Sequence, residues 1–350
     1  MTAIVKLGSV QYRPTKYSTF GSYFDSNFLN QFSLSYTLQA VINRDGFCRL
    51  HQISVLKITI NFTGSDPMTN RTIDVNPIAG ALGAEISSVD LAGPIADNTL
   101  AEIKEAFSEH LVLFFRDQEL SPQQHADFAG LFADLVPHPF VESIEGIPGI
   151  IEIVKERDEK TNWGGTLLHS DLTFFEEPPM GAALYAREVP PHGGDTLWVN
   201  MYLAYEALSE GMKDLLGSLN AVHTSDSPES YSENYKGMHA KHNEAGSTVH
   251  PAVITHPQTG RKALYTNRGY TKYFENMRVE ESRPILDYLA EHAARPEFSC
   301  RFHWTPGAMA VWDNRVTMHY AIEDDFSADT GNGYRRVLHR ATFAGVRPGL

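Results

Sequence analysis

Two stretches decide how this chain is read: Leu168-His169-Ser170-Asp171, and Trp312-Asp313-Asn314-Arg315-Val316-Thr317-Met318-His319 with the basic run Arg335-Arg336-Val337-Leu338-His339-Arg340 behind it. In an extended segment residues i and i+2 point to the same side, so a strand end can present His169 and Asp171 together. Two imidazoles and one carboxylate on one face of a metal, with the other positions open, form the ligand set of non-haem Fe(II) oxygenases. The first stretch supplies two of those three groups, and the third must come from elsewhere. Taken alone, a His-x-Asp tripeptide in a chain with 15 His and 43 acidic residues reads equally well as a polar strand end. Its weight comes from the company it keeps.

The elements around these stretches come in readable order. Ile73 to Val89 reads as two short strands around Asn76-Pro77 and the Gly80 to Gly83 turn. Thr99-Leu100-Ala101-Glu102 has the form of a capping box, with Leu100, Ile103, Phe107 and Leu111 at helical spacing, so a helix is predicted over 99–110. Leu111 to Phe115 is a continuous apolar run, read as a buried strand. Ser121-Pro122-Gln123-Gln124 opens a second helix, predicted through Ala133. Strands are expected at 150–154, 182–187 and 196–199, helices at 201–217 and 280–293, the latter apolar at Ile285, Tyr288 and Leu289. Phe298, Cys300, Phe302 and Trp304 alternate with Ser299, Arg301 and His303, which predicts a half-buried strand, and further strands follow at 309–312 and 337–346. Many short strands with Gly/Pro turns, a few helices and no regular βαβ alternation point to a mainly β fold with flanking helices, a β-sandwich or jelly roll.

Composition bounds the function classes. The 350 residues are 42% hydrophobic and 21% charged, as in an ordinary globular protein with ample material for a core. A formal charge of −14 argues against nucleic acid or an anionic membrane surface as partner. Two Cys, Cys48 and Cys300, exclude a disulfide framework or a Cys-rich zinc site and fit a reducing cytoplasm. No run of about 18 apolar residues suggests a membrane span. Residues 1–67 differ from the rest: six basic residues against three Asp and no Glu leave −17 for residues 68–350, and ten aromatics follow no period apart from a short alternation near Val55 to Phe62. This segment reads as an atypical extension produced by a start assigned too early, with a genuine disordered extension as the alternative; residues 68–350 are the expected functional domain.

From about Ile73 to Pro348 the chain resembles the taurine dioxygenase family of Fe(II)- and 2-oxoglutarate-dependent oxygenases. The matching strings are Leu172-Thr173-Phe174 with Glu177-Pro178-Pro179, Gly193-Gly194-Asp195-Thr196-Leu197-Trp198, Tyr205-Glu206-Ala207-Leu208-Ser209, His250-Pro251, Thr255-His256-Pro257 and Trp312 to Tyr320. The resemblance implies a double-stranded β-helix (jelly roll) in which His169, Asp171 and His319 hold Fe(II), with 2-oxoglutarate and O2 as co-substrates. His169 and His319 are 150 positions apart, so only a fold that sets two strands side by side can unite them. Alternation along an extended 335–340 puts Arg336, Leu338 and Arg340 on one face. The resemblance assigns Arg336, with the Thr196 hydroxyl, to the distal carboxylate of 2-oxoglutarate, and Arg340 to the anionic head of the substrate. Between His319 and Arg336 the loop, with Asp324, Asp325 and Asp329, is longer than the family pattern, which keeps Arg335 as the alternative register.

His138, in Val136-Pro137-His138-Pro139, matches a family position that binds the substrate anion; the plainer reading is a structural His in a Pro-flanked turn. His192, His223, His239, His242, His250, His256 and His303 read as structural or surface residues, and Trp198 and Trp312 as core. Gly165, Leu168 and Val141 stand where taurine-specific relatives carry an Asn, an indole and an aromatic hydroxyl, which points to a roomier, more apolar pocket. Expected substrates are therefore small anions: taurine or another sulfonate, an alkyl sulfate or an aryloxyalkanoate. A homo-oligomer is expected. The competing class is a non-catalytic or differently metallated jelly roll, which would need the metal ligands but not the Arg pair.

Overall fold

The computed structural model describes residues 71–139, 141–157, 167–225, 246–322 and 334–349, all within the unit Arg71–Leu350. The extension at 1–67, Gly165, His239, His242 and the acidic loop residues Asp324, Asp325 and Asp329 lie outside the described residues.

The chain opens with strands β1 (Asp74–Pro77) and β2 (Ala84–Ser87), paired antiparallel. Helix α1 (Asp97–His110) starts two residues before the predicted Thr99 and carries no side-chain cap. The expected capping box does not form because both its members are engaged elsewhere: Glu102 accepts from the Thr72 and Ile73 amides, and the Thr99 hydroxyl meets that of Thr72. Leu111 takes the left-handed conformation that ends the helix, leaving Val112–Phe115 as β3. At α2 (Pro122–Ala129) the Ser121/Gln124 capping box is present as read, but the helix stops at Gly130, short of Ala133.

Then come β4 (Ile150–Lys155), β5 (Gly181–Glu188) and β6 (Thr196–Asn200). The single helix predicted over 201–217 is two, α3 (Met201–Glu206) and α4 (Glu210–Leu216), because the Ser209 hydroxyl accepts from the Met212 amide and starts a new helix. Six strands were not legible in the sequence: β7 (Asn220–Thr224), β8 (Ser247–Pro251), β9 (Val253–Thr255), β10 (Lys262–Leu264), β11 (Thr271–Phe274) and, later in the chain, β14 (Thr317–Ala321). Helix α5 (Val279–Ala293) buries Leu289 and leaves Tyr288 exposed, so its apolar face is narrower than predicted. Strands β12 (Ser299–Phe302), β13 (Met309–Asp313), β14 (Thr317–Ala321) and β15 (Arg336–Phe343) complete the chain.

Seven strands form one sheet in the order β1-β2-β3-β13-β5-β15-β4; β12-β6-β14 and β11-β7-β8 form three-stranded sheets, and β10-β9 a pair. Alternation divides the large sheet into two faces. Val112, Phe114, Leu184, Ala310, Trp312 and Leu338 enter the main core together with Trp198, Phe302 and Met318 from the smaller sheets. Leu113, Phe115, Tyr185, Val311 and Phe343 face the other way, onto Ile103 and Phe107 of α1 and Phe128 of α2. The large sheet is thus buried on both sides, which is why its central strands read as unbroken apolar runs. Two β-layers packed face to face, with helices on the outside, make the expected jelly roll. Among the described residues no helix is long and apolar enough to cross a membrane.

Candidate metal centre and anion site

His169 and His319 meet through an isolated antiparallel bridge. The His169 amide donates to the His319 carbonyl at 3.1 Å, and the return bond is 2.7 Å. Such a pair, exchanging both backbone bonds, places its side chains on one face of the sheet, and the two rings lie 4.6 Å apart. Asp171, two residues on, shares that face. One ligand atom from each of the three residues lies within 4.8 Å of the others, and all three residues are buried. The Nε2 atoms of His169 and His319 stand 3.5 and 3.7 Å from the Asp171 oxygens.

The donor set is prepared for a cation. His169 Nδ1 lies 2.7 Å from the Leu167 carbonyl, an acceptor only, so Nδ1 carries the proton and Nε2 keeps its lone pair for the centre. Burial lowers the His319 imidazole to about 3; Asp171 opposes this, while His169 and Arg340 add to it, and the ring is a neutral donor. Burial alone would raise the Asp171 carboxyl, but Arg340, His319 and His169 outweigh it and hold it well below the usual carboxylate range. Asp171 Oδ2 stands 2.7 Å from Arg340 Nη2. Two imidazoles facing one ionised carboxylate fit a divalent metal.

Asn314 holds this arrangement in place, a role the sequence did not reveal. Fully buried in the turn between β13 and β14, it accepts from the Asp171 amide at 2.7 Å and donates to the carbonyls of Asp171 and Pro179 at 3.0 Å each. The next residue, Leu172, sits at φ 53°, an uncommon backbone conformation for a bulky residue, and Asn314 fixes the peptide units on either side of Asp171 that lead into it. Ser170, on the opposite side of the strand, donates to the Thr317 carbonyl at 2.8 Å. The same turn is braced by Asp313, which pairs with His256 at 3.0 Å and with Arg315. His256 Nδ1 accepts from the Thr259 amide, so this buried His–Asp pair is closed on itself and structural.

Alternation along β15 is as read. Arg336, Leu338 and Arg340 point into the space between the layers, whereas Arg335 is half-buried on the other side, paired with Glu156 and Glu188 at 3.1 and 3.2 Å. Arg336 donates to the Gly194 carbonyl at 3.2 Å, and its buried Nε has no partner. Burial pulls its pKa down to about 10, with the Asp195 charge working against that, so the guanidinium remains a cation short of an anion. Gly194, at φ +67°, lies against it: an added Cβ would stand 3.4 Å from the Arg336 side chain. Thr196 Oγ1 accepts from Trp304 Nε1 at 2.9 Å, leaving its own hydrogen free to donate. The residues read for a dicarboxylate thus offer the cation and hydroxyl that such a group needs.

Arg340, read for the anionic head of the substrate, also reaches the metal site. Its Nη1 donates to Asp171 Oδ1 at 3.2 Å and its Nη2 lies 2.7 Å from Oδ2, so it leans on the metal-site carboxylate, while Nε has no partner. It also lies over the Trp312 ring at 5.7 Å. His138 is buried within the electrostatic reach of Arg340 and Asp171. Burial foremost, and Arg340 next, lower its pKa to about 3 against the pull of Asp171, so it is neutral. Val141 is buried in a small apolar cluster with Ile151, Leu172 and Phe174. Leu168 does not join it; it packs against the main core, so the two substitutions do not share one wall.

The sequence profile described as "Taurine catabolism dioxygenase TauD, TfdA family" matches residues 74–342. An alkylsulfatase of Acinetobacter baylyi is 33% identical over 285 residues, covering 78% of this chain and 85% of that protein. An alpha-ketoglutarate-dependent sulfate ester dioxygenase of Pseudomonas putida is 32% identical, covering 79% and 91%. The crystal structure of a taurine dioxygenase from Burkholderia xenovorans superposes with a TM-score of 0.68 at 34% identity, covering 79% of this chain and 91% of that one.

Proposed function

The chain belongs to the TauD, TfdA dioxygenase family, and from that membership we propose that it is an Fe(II)- and 2-oxoglutarate-dependent dioxygenase hydroxylating a small anionic substrate, with release of succinate and CO2. One observation carries the reading: His169, Asp171 and His319 converge within 4.8 Å beside two buried, inward-facing Arg, a combination that simple metal storage or a binding module would not require. Among anionic substrates the reading favours an alkyl sulfate or sulfonate with an apolar chain over taurine. Both sequence relatives named above act on sulfate esters by name, and Val141 sits in an apolar cluster rather than offering a hydroxyl.

Held by His169, Asp171 and His319, Fe(II) would supply the O2 chemistry, with O2 as the oxidant of both the 2-oxo acid and the substrate. The protein's own part is to bind, orient and exclude water. His169 and His319 give Nε2 lone pairs, and Asp171 gives a carboxylate whose backbone Asn314 fixes. Arg336 and Thr196 take the distal carboxylate of 2-oxoglutarate. Arg340 takes the anionic head through the edge not engaged with Asp171, with neutral His138 beside it. Val141, Ile151 and Leu172, the last of which follows Asp171 in the chain, belong to one apolar cluster, and that cluster would be the wall that excludes water. Hydroxylation next to the heteroatom gives a product that collapses, releasing the sulfate or corresponding group. Asp171→Ala should abolish substrate-dependent succinate formation while the circular-dichroism spectrum is retained; unchanged turnover in that variant would overturn the reading.

A further inference from the structure

A concavity of about 480 Å3 lies between the 266–272 segment, α5 and Leu167, and none of the metal-site residues nor Arg336, Arg340 or His138 lines it. Its wall carries Arg268, Lys272, Arg283 and Asp287, with Leu167 and Leu286 as apolar lining. Arg268 stands 3.6 Å from Asp287, so those two charges cancel. Lys272 and Arg283 form no hydrogen bond or ion pair among the described residues. Two cations without a partner among the described residues thus line a concave surface of a chain whose formal charge is −14. With three cations and the single carboxylate of Asp287 among its described lining residues, the concavity carries an excess of positive charge that concentrates anions, and its volume is within the range of small-molecule sites, about 300–1,000 Å3.

We propose that this cavity binds a small dianion, of the chemistry shared by inorganic sulfate and succinate, and that its occupancy is felt at the metal centre. Naming these two as the ligands rests on the proposed function, since both are products of that reaction. The coupling has a physical route. Leu167 lines the cavity, and its carbonyl lies 2.7 Å from His169 Nδ1. Asn267 lines it too, accepts from the Tyr270 amide at 2.8 Å, and so shapes the turn that sets Gly269 and Tyr270 on His169. A Cβ on Gly269 would come within 3.1 Å of His169 Cβ, and the Tyr270 ring meets the His169 imidazole edge-on at 6.0 Å. A ligand drawing Lys272 and Arg283 inward would therefore press on both segments that orient one metal donor.

The test uses the full chain with its anion-binding Arg disabled, R336A/R340Q, so that the reaction site does not take up the probe. Sodium sulfate and sodium succinate are titrated separately by calorimetry at constant ionic strength, with sodium chloride as control. One dianion per chain is expected, weakened at least tenfold by adding K272A/R283A and largely restored by K272R/R283K. Binding of sulfate alone, succinate alone or both supports the site and identifies its ligand. No uptake beyond the chloride control, or uptake indifferent to K272A/R283A, would overturn it. For the coupling, the visible spectrum of the Co(II)-loaded R336A/R340Q protein should shift as the dianion saturates; saturation without a shift would refute the link to His169. Neither readout depends on turnover, so failure here and failure of Asp171→Ala to abolish activity are distinguishable.

Discussion

Replacing Asn314 by Ala tests whether the carboxylate is held by the turn beneath it. The change removes three hydrogen bonds at a fully buried position and leaves the Asp171 amide and the carbonyls of Asp171 and Pro179 without their side-chain partner. Each buried group left unpaired costs about 1–3 kcal/mol, so a loss of several kcal/mol in stability is expected if no water enters. The functional consequence is separate. Supporting groups behind metal ligands are worth about 10–100-fold in metal affinity, or roughly 1.4–2.7 kcal/mol. Leu172 would be freed to leave its φ of 53°, and the Asp171 carboxylate would lose its fixed direction. The assay is calorimetric titration of the metal-free protein with Mn(II), alongside urea unfolding monitored by circular dichroism. Asn314→Asp keeps the shape and one acceptor but loses both donors, so it should also weaken the metal and destabilise the turn. A folded Asn314→Ala protein binding Mn(II) within twofold of wild type would refute the reasoning, because the carboxylate would then be oriented without its clamp.

Arg336→Ala should weaken 2-oxoglutarate binding by about 10²–10⁴-fold, since removing one partner of a buried ion pair costs roughly 3–5 kcal/mol, whereas Arg335→Ala, which loses only outward pairs with Glu156 and Glu188, should change it little; equal losses in titrations of both would remove the assignment. Arg340→Gln should disable every anionic substrate in succinate-release assays while leaving slow uncoupled consumption of 2-oxoglutarate, and normal selectivity in that variant would place the anion elsewhere. Apolar bulk should help: at about 0.8 kcal/mol per buried methylene, three more carbons on an alkyl sulfate could tighten binding by tens of fold, and a preference for taurine in a substrate panel would contradict the apolar pocket. His125 supplies a pH test: burial, with His339 and Arg187 nearby, lowers its folded pKa to about 3. Because the unfolded chain binds the proton first, stability falls as pH drops from about 6.5 towards 3, and His125→Leu should lose about 2 kcal/mol less than wild type between pH 7 and 5 in urea unfolding. Identical pH slopes would show that the ring is protonated without cost.

The sequence by itself determined what local pattern and residue chemistry can determine. The unbroken run Val112–Phe115 is a strand in the structure, and the alternation from Phe298 to Trp304 is one over Ser299–Phe302, because burial on two faces or on one writes itself into side-chain order. His169 and Asp171 were readable as a pair because their i, i+2 spacing is a local property, and the inward Arg336 and Arg340 followed from the same period-two rule. The tertiary structure decided everything that depends on what comes to lie opposite. The Thr99 capping box failed because Thr72 and Ile73, about 30 positions away, took Glu102, and the 201–217 helix broke where Ser209 found a better use as a cap. His319 joins His169 only through a bridge between strands 150 positions apart, and Asn314, within a quoted motif yet silent there, shows its role only when Asp171 is folded over it. Nor could sequence show Arg340 leaning on the carboxylate, or Lys272 and Arg283 facing one cavity: a charge has no partner until the fold brings one within a few ångströms, and Coulomb energy depends on that distance and the surrounding dielectric, not on position in the chain.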